Sequence, residues 1–424
     1  MPTFLKQALP GAAKDRRALE DVVRGILQEL REQGDAAVRA YARRFDRWEA
    51  ERFEVTQDEI RRAASQLSGR FKEDFAFCKR QVIEFARRQR DSLQAFETQI
   101  EPGVTLGQRI IPIERVGCYV PGGKYPLVSS AIMSVATARV AGVDHIVACS
   151  PPRGPEGIYP PTLYALHEAG ADEVYALGGV QALASMAYGL AGVAPVHFLT
   201  GAGNAYVAEA KRQLFGTVGI DLLAGPTEIL VIADDHADPA LVATDLLGQA
   251  EHGPDSPAWL VTTSERLGAA VQAEVERQLH TLPTRDVAAQ AWRDYGEIVV
   301  VADDDEAIAV ADAYAPEHLE LQTIRNDYFL AGLRNYGSLF VGEESTVAYG
   351  DKGVGTNHTL PTGKAARYTG GLWVGKFLKT VTYQRLTAEA SARIAPAMAH
   401  ICEVEGMLAH KITADVRKER YAHR

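Results

Sequence analysis

Gln249 and His252 stand three residues apart in the run Leu247-Gly248-Gln249-Ala250-Glu251-His252-Gly253-Pro254-Asp255. A helix reaching that far carries an amide and an imidazole on one face, aimed at a common point. An amide oxygen and an imidazole nitrogen so placed make half of a metal site. A polar helix end satisfied by water accounts for the same pair, so other residues must decide. Three further clusters could do chemistry. Tyr314-Ala315-Pro316-Glu317-His318-Leu319 places a carboxylate next to an imidazole behind a proline. Adjacent side chains point different ways, so these two suit two separate proton tasks rather than one ligand set. Tyr349 to His358 sets three glycines around Asp351, which implies a tight loop whose backbone approaches something closely. Glu405-Gly406-Met407-Leu408-Ala409-His410 adds a carboxylate and an imidazole near the C-terminus.

These residues need elements to position them. Asp238-Pro239 gives an N-cap and a first-turn proline, Leu241, Val242, Leu246, Leu247 and Ala250 give an apolar stripe, and Gly253-Pro254 gives a stop, so a helix is predicted up to His252. The first hundred residues read as helices. Val22, Val23, Ile26, Leu27 and Leu30 keep a helical period until Gly34, and Thr56 with Glu59 forms a capping box. From about 119 to 228 short apolar runs alternate with helices. His145 to Cys149, Glu173 to Leu177, Val196 to Leu199 and Leu230 to Ala233 read as buried strands, with helices at Ser129 to Ala141 and Pro160 to Glu168. Trp259 to Thr262, Ile298 to Ala302 and Ser338 to Val341 read as strands of a second unit, and the tail from about 373 as helical. This is an α/β protein with parallel-rich sheets. Gly201-Ala202-Gly203-Asn204 enters a helix running through Lys211, a place where backbone amides can meet a phosphate. As a dinucleotide fingerprint it is weak, because position 206 is Tyr rather than the third glycine.

Taken together, the clusters and the stretches Arg115 to Gly123, Gly178-Gly179-Val180-Gln181, Leu199 to Asn204 and Ala224-Gly225-Pro226-Thr227-Glu228 resemble the histidinol dehydrogenase family over nearly the whole chain. The resemblance implies a zinc- and NAD-dependent enzyme that oxidises an alcohol through a bound aldehyde to a carboxylate, reducing two NAD. It implies Gln249, His252, Asp351 and His410 as zinc ligands, with His410 reaching in from a partner subunit. It makes Glu317 and His318 the acid-base pair, sets Tyr119, Gln181 and Asn204 against NAD, and sets Ser129, Thr227, His358 and Glu405, with the ligands and His318, against the substrate. The implied architecture is an intertwined homodimer of two incomplete Rossmann-like domains. The expected organisation is an N-terminal arm (1–19), a first α/β domain (20–118 and 229–372), a second on the NAD side (119–228), and a helical tail (373–424) crossing to the partner.

The departures from the family pattern concern the substrate. Where typical members carry Pro-Glu ahead of Gly-Asp-Tyr, this chain has Thr346-Val347 ahead of Gly350-Asp351-Lys352. A carboxylate becomes apolar and a tyrosine becomes cationic. Thr227 stands where serine is common, Ala202 where proline is common, and Tyr368 to Trp373 differs from the usual segment. These features resemble the paralogous branch typified by sulfopropanediol dehydrogenase. The expected substrate is a small polar or anionic diol such as 2,3-dihydroxypropane-1-sulfonate, with L-histidinol as the alternative that the retained Glu405 leaves open.

Composition excludes several classes. Among 424 residues, 45 basic against 55 acidic side chains give a net charge of −10 with no long basic run, which argues against a nucleic-acid partner. No apolar run approaches the roughly 18 residues of a membrane span, and the N-terminus lacks a signal-peptide core, so a cytoplasmic protein is expected. Cys78, Cys118, Cys149 and Cys402 show no Cys-x-x-Cys spacing and read as reduced packing residues. A metal-binding protein without dehydrogenase activity does not require Glu317 and His318 beside a full ligand set. A zinc hydrolase is separable by its failure to form NADH.

Overall fold

The structure, a computed structural model, describes residues 2–9, 16–123 and 125–422, without the side chain of Arg16. Residue 1 and residues 10–15 of the expected N-terminal arm thus lie outside the described residues. In chain order the strands are β1 (Thr3–Lys6), β2 (Phe96–Glu101), β3 (Val104–Pro112), β4 (Arg115–Tyr119), β5 (His145–Ser150), β6 (Glu173–Ala176), β7 (Phe198–Thr200), β8 (Gly219–Ile220), β9 (Ile229–Ala233), β10 (Ala258–Thr262), β11 (Glu297–Val300), β12 (His318–Gln322), β13 (Ser338–Val341) and β14 (Leu378–Leu386). Two compact units form, Met1–Arg88 with Ile113–Phe377, and Gln89–Pro112 with Leu378–Arg424.

The larger unit holds two sheets. One is all parallel in the order β6-β5-β4-β7-β8. The other runs β1-β11-β10-β9-β12-β13, parallel except for the edge strand β1. In both, the strand order reverses beside the first parallel strand, β4 or β9. Helices cover both faces, so strands such as Ile229–Ala233 are buried from end to end and read as continuous apolar runs. The structure is thus a mixed α/β fold with parallel-rich sheets.

Three expectations about organisation need correction. The helix Arg16–Gln33 and its successor Asp35–Tyr41 were expected with the second sheet, but Val23, Leu27, Leu30 and Val38 share a core with Val147 and Leu199 of the first and with Leu183 of the helix Gly179–Tyr188. Their stripe finds the helices Gly179–Tyr188 and Ala205–Leu214 that flank that sheet. Residues 96–112 do not belong to either parallel sheet. They form the antiparallel β2 and β3, which pair with β14. The tail is therefore not helical from 373: β14 runs as far as Leu386, and only Ala388–Val404 and Leu408–Tyr421 are helices.

Local expectations fared better at chemically marked ends. The Thr56–Glu59 capping box forms, and Asp238 caps the helix Pro239–Ala250. That helix stops two residues short of His252, whose amide bonds back to the Gln249 carbonyl at 3.2 Å in a closing turn. The segment Ser129 to Ala141 is helical with a π-type stretch at Ile132–Ala136. Among the described residues no helix is long and apolar enough to cross a membrane.

Candidate active site

β12 was not predicted, although His318-Leu319-Glu320-Leu321-Gln322 alternates polar and apolar residues as a half-exposed strand does. All five residues are buried. The polar alternates face the helix Pro239–Ala250, with Gln249 Nε2 3.5 Å from His318 Nδ1 and Gln322 donating to Asp245 at 2.8 Å.

His318 opens β12, in register with Ile229 and Ser338 at the amino edge of the sheet. Its Nδ1 lies 3.0 Å from the Glu228 carbonyl oxygen. A carbonyl only accepts, so Nδ1 carries a proton and Nε2 is the free end. That Nε2 is buried with no hydrogen-bond partner, 3.7 Å from Asp351 Oδ1. Burial opposes the imidazolium, yet the carboxylates of Glu317 and Asp351 outweigh it and hold the ring well above the ordinary histidine range. Glu317 was expected to point away from His318. It comes within 3.4 Å of Nδ1 instead, because it precedes the strand and escapes its alternation. Ala315, at φ 49, ends the preceding helix in a left-handed cap that turns the chain there.

A hydrogen-bond chain joins the other residues. Gln249 Nε2 donates to Thr227 Oγ1, which donates to Glu317 Oε2, and the same oxygen accepts from the Glu228 amide at 3.0 Å. The Gln249 nitrogen is thereby committed, which leaves its carbonyl oxygen as the ligating end. Thr227 thus sits between a candidate ligand and a candidate acid-base group. Asp351 comes from the helix Val347–Lys352. Burial disfavours its charge, but His318, His358 and Lys352 hold it well below the usual carboxylate range. Lys352 Nζ is 3.6 Å from Asp351 Oδ2, with 58% of its side chain exposed. Burial pushes His252 below the ordinary histidine range despite Asp351. His358 is held low by burial too, and both its nitrogens are engaged, Nδ1 at 2.8 Å from the Asp351 carbonyl and Nε2 at 2.9 Å from Ser130 Oγ. Ser130, rather than the half-buried Ser129, meets it.

The close approach inferred from the glycines is internal. A Cβ on Gly353 (φ 139) would lie 2.5 Å from Cys78 Cβ, so the loop packs on the helix Gly69–Asp91. In the sequence Glu228 is only the last residue of the stretch Ala224-Gly225-Pro226-Thr227-Glu228, with no role of its own. It is buried, and its carboxyl is pushed up to about 8, by burial first and then by Glu317. Val347, which stands where typical members carry a carboxylate, lies in the apolar cluster with Phe340 and Leu247.

At the carboxyl ends of the first sheet, Tyr119 accepts from the Gly179 amide at 3.1 Å, and Gln181 donates to Asp46 at 2.9 Å. Asn204 caps the helix Ala205–Leu214, accepting from the Tyr206 and Val207 amides. A Cβ on Gly201 (φ 122) would lie 2.1 Å from the Tyr119 carbonyl oxygen, so only glycine lets β4 and the loop after β7 approach. Glu405 and His410 belong to the smaller unit, where both are exposed.

The profile described as histidinol dehydrogenase matches residues 10–418. The chain belongs to the histidinol dehydrogenase family. A histidinol dehydrogenase homolog of Shouchella clausii is 53% identical over 95% of each chain. The sulfopropanediol 3-dehydrogenase of Ruegeria pomeroyi is 48% identical over 99% of this chain and 96% of its own. The crystal structure of histidinol dehydrogenase from Elizabethkingia anophelis superposes with a TM-score of 0.91 at 34% identity, covering 98% of this chain and 94% of that one. The family comprises NAD-dependent oxidoreductases acting on CH–OH donors, and binds zinc.

Among the described residues, no group of three or more His, Cys, Asp and Glu is arranged to hold a metal ion. The expected ligand set explains this, since within one unit it offers only His252 and Asp351 of those types, with Gln249 as an amide. The donor chemistry fits zinc: a neutral imidazole, an ionised carboxylate and a free amide oxygen. A cation on Asp351 would also offset its pull on His318.

Proposed function

We propose that this chain is a zinc- and NAD-dependent dehydrogenase that oxidises a small anionic or polar diol, of the kind 2,3-dihydroxypropane-1-sulfonate represents, through a bound aldehyde to the carboxylate. The observation that carries the reading is the unpartnered Nε2 of His318 beside Asp351, with Lys352 on the far oxygen of that carboxylate. Gln249, His252 and Asp351, with His410 of the partner subunit, would hold zinc, and Tyr119, Gln181 and Asn204 would line the NAD site of a cytoplasmic homodimer. When bound, zinc polarises the alcohol oxygen and NAD accepts hydride. With the pull of Asp351 offset by a cation, the neutral His318 ring would take the hydroxyl proton on Nε2 while the Glu228 carbonyl fixes it through Nδ1. Glu317, supported by Thr227 and the Glu228 amide, draws a proton from water for attack on the aldehyde. Ser129, His358 and Glu405 complete the substrate side in this reading.

Lys352 supports the substrate class. It offers a cation next to the carboxylate, where a sulfonate or carboxylate can pair with it. The 48% identity to a sulfopropanediol 3-dehydrogenase supports the same reading. The test compares kcat/KM for 2,3-dihydroxypropane-1-sulfonate and L-histidinol, by NADH formation, in the wild type and in Lys352→Tyr. The expected result is preference for the sulfonate in the wild type and a shift of roughly tenfold toward histidinol in the variant, the size of one charge-assisted contact. A wild type that prefers histidinol overturns the substrate assignment and leaves a histidinol dehydrogenase.

A further inference from the structure

Three elements carry the chemistry just described, and all three meet away from it at two carboxyls, the buried Glu320 and the half-buried Asp245. The helix Pro239–Ala250 carries Gln249 and, four residues earlier on the same face, Asp245. β12 carries His318 and, on the same face, Glu320 and Gln322. The helix Val347–Lys352 carries Asp351 and Lys352, and its cap residue Thr346 makes no side-chain bond to its own helix. Thr346 Oγ1 instead donates to Asp245 Oδ1 at 3.0 Å, Gln322 Nε2 donates to Asp245 Oδ2 at 2.8 Å, and the Val347 amide donates to Glu320 Oε1 at 3.0 Å.

Glu320 is 1% exposed, and its Oε2 is buried with no donor facing it. A carboxylate oxygen in that position goes unsatisfied, whereas a protonated one donates to the neighbouring Asp245. Burial, then the charge of Asp245, raises Glu320 well above the ordinary carboxylate range, consistent with that proton. The six-residue helix is thus capped from another strand, by a neutral acid that is itself tied to a third element. A helix this short holds its direction only through such ties.

We propose that Glu320 and Asp245 are positioning residues: their shared hydrogen bonds fix the start of the helix Val347–Lys352 and so set Asp351 against His318 and Gln249. The inference rests on the proposed zinc site, since Asp351 is one of its ligands. Neither carboxyl touches the reacting atoms. Their effect is carried through the amide of Val347 and the hydroxyl of Thr346.

The experiment measures zinc retention by the full-length zinc-loaded protein against a competing chelator, with Tm alongside. Glu320→Ala is expected to weaken zinc binding by roughly 10- to 100-fold, the usual cost of losing an outer partner of a ligand. Glu320→Gln keeps an acceptor for Val347 and a neutral donor for Asp245, and is expected to stay within about threefold of the wild type by the same scale. Asp245→Ala, which removes the acceptor of all three donors, is expected to weaken binding as Glu320→Ala does, and serves if Glu320→Ala fails to fold. Leu183→Ala, in the core of the other sheet, is the control: it lowers Tm and leaves zinc retention unchanged. Equal zinc retention in the folded alanine variants and the wild type overturns the inference, as does a loss in Glu320→Gln matching that in Glu320→Ala. A wild type that holds no zinc overturns the proposed metal site instead.

Discussion

The parallel strands of the larger unit's two sheets follow the same order, but the candidate site residues gather at opposite ends of them. At the carboxyl end of β7, in the first sheet, the buried charges are satisfied. Lys211, 1% exposed, donates to the Gly201 carbonyl at 2.8 Å and pairs with Asp221, which also accepts from Thr200 and from the Gly201 and Leu222 amides. At the amino edge of the second sheet, His318 Nε2 is buried without a partner, and Glu228 and Glu317 stand close enough to repel. A satisfied network fixes backbone for a ligand to lie on. An unsatisfied one stores reactivity, because a buried polar group without a partner is ready for a proton or a substrate atom.

Substitutions at the two ends should therefore separate rate from stability. The largest effect is expected at the second sheet: His318→Ala should lower the rate of NADH formation by about a hundredfold or more while Tm holds, as removal of a general base does. Glu317→Gln should stop the reaction near one NADH per alcohol, and two NADH at the normal rate would remove Glu317 from the water step. At the first sheet Lys211→Met should show the reverse. It leaves Asp221 buried without its cation, at a cost of about 3–5 kcal/mol, read from the urea midpoint. An unchanged midpoint would mean that the three remaining donors suffice for Asp221.

A smaller effect sharpens the comparison through pH. The carboxyl of Glu228 moves from an ordinary 4.5 in the unfolded chain to about 8 in the folded one. The folded state thus binds the extra proton, and stability from this group is intact below pH 4.5 and lost as pH rises toward 8. Glu228→Gln, neutral at every pH, should flatten the fall in denaturation midpoint across that window. Equal slopes in variant and wild type would show that Glu228 is ionised in the folded protein.

Much of the site was legible because its residues lie in local runs. Gln249 with His252, and Glu317 with His318, were identified from spacing and neighbours, and the resemblance added Asp351. What stayed hidden was of two kinds. β12 looks half exposed because its polar alternates face another polar surface, and no periodicity distinguishes a buried polar seam from a solvated face. Ser130, Asp245 and Glu320 carry no motif of their own. Their partners are 228, 101 and 27 residues away in His358, Thr346 and Val347.

The sequence by itself determined the α/β class, the parallel strands, the helix ends at Asp238 and Thr56, and the family, since each depends on residues within a few positions or on a motif read along the chain. Tertiary structure alone decided that the helices Arg16–Gln33 and Asp35–Tyr41 pack on the first sheet and that β2 and β3 pair with β14. It also decided which nitrogen of His318 stays free. An apolar stripe states how much must be buried but not against which partner, and a side chain's protonation follows from groups that only folding brings within a few ångströms.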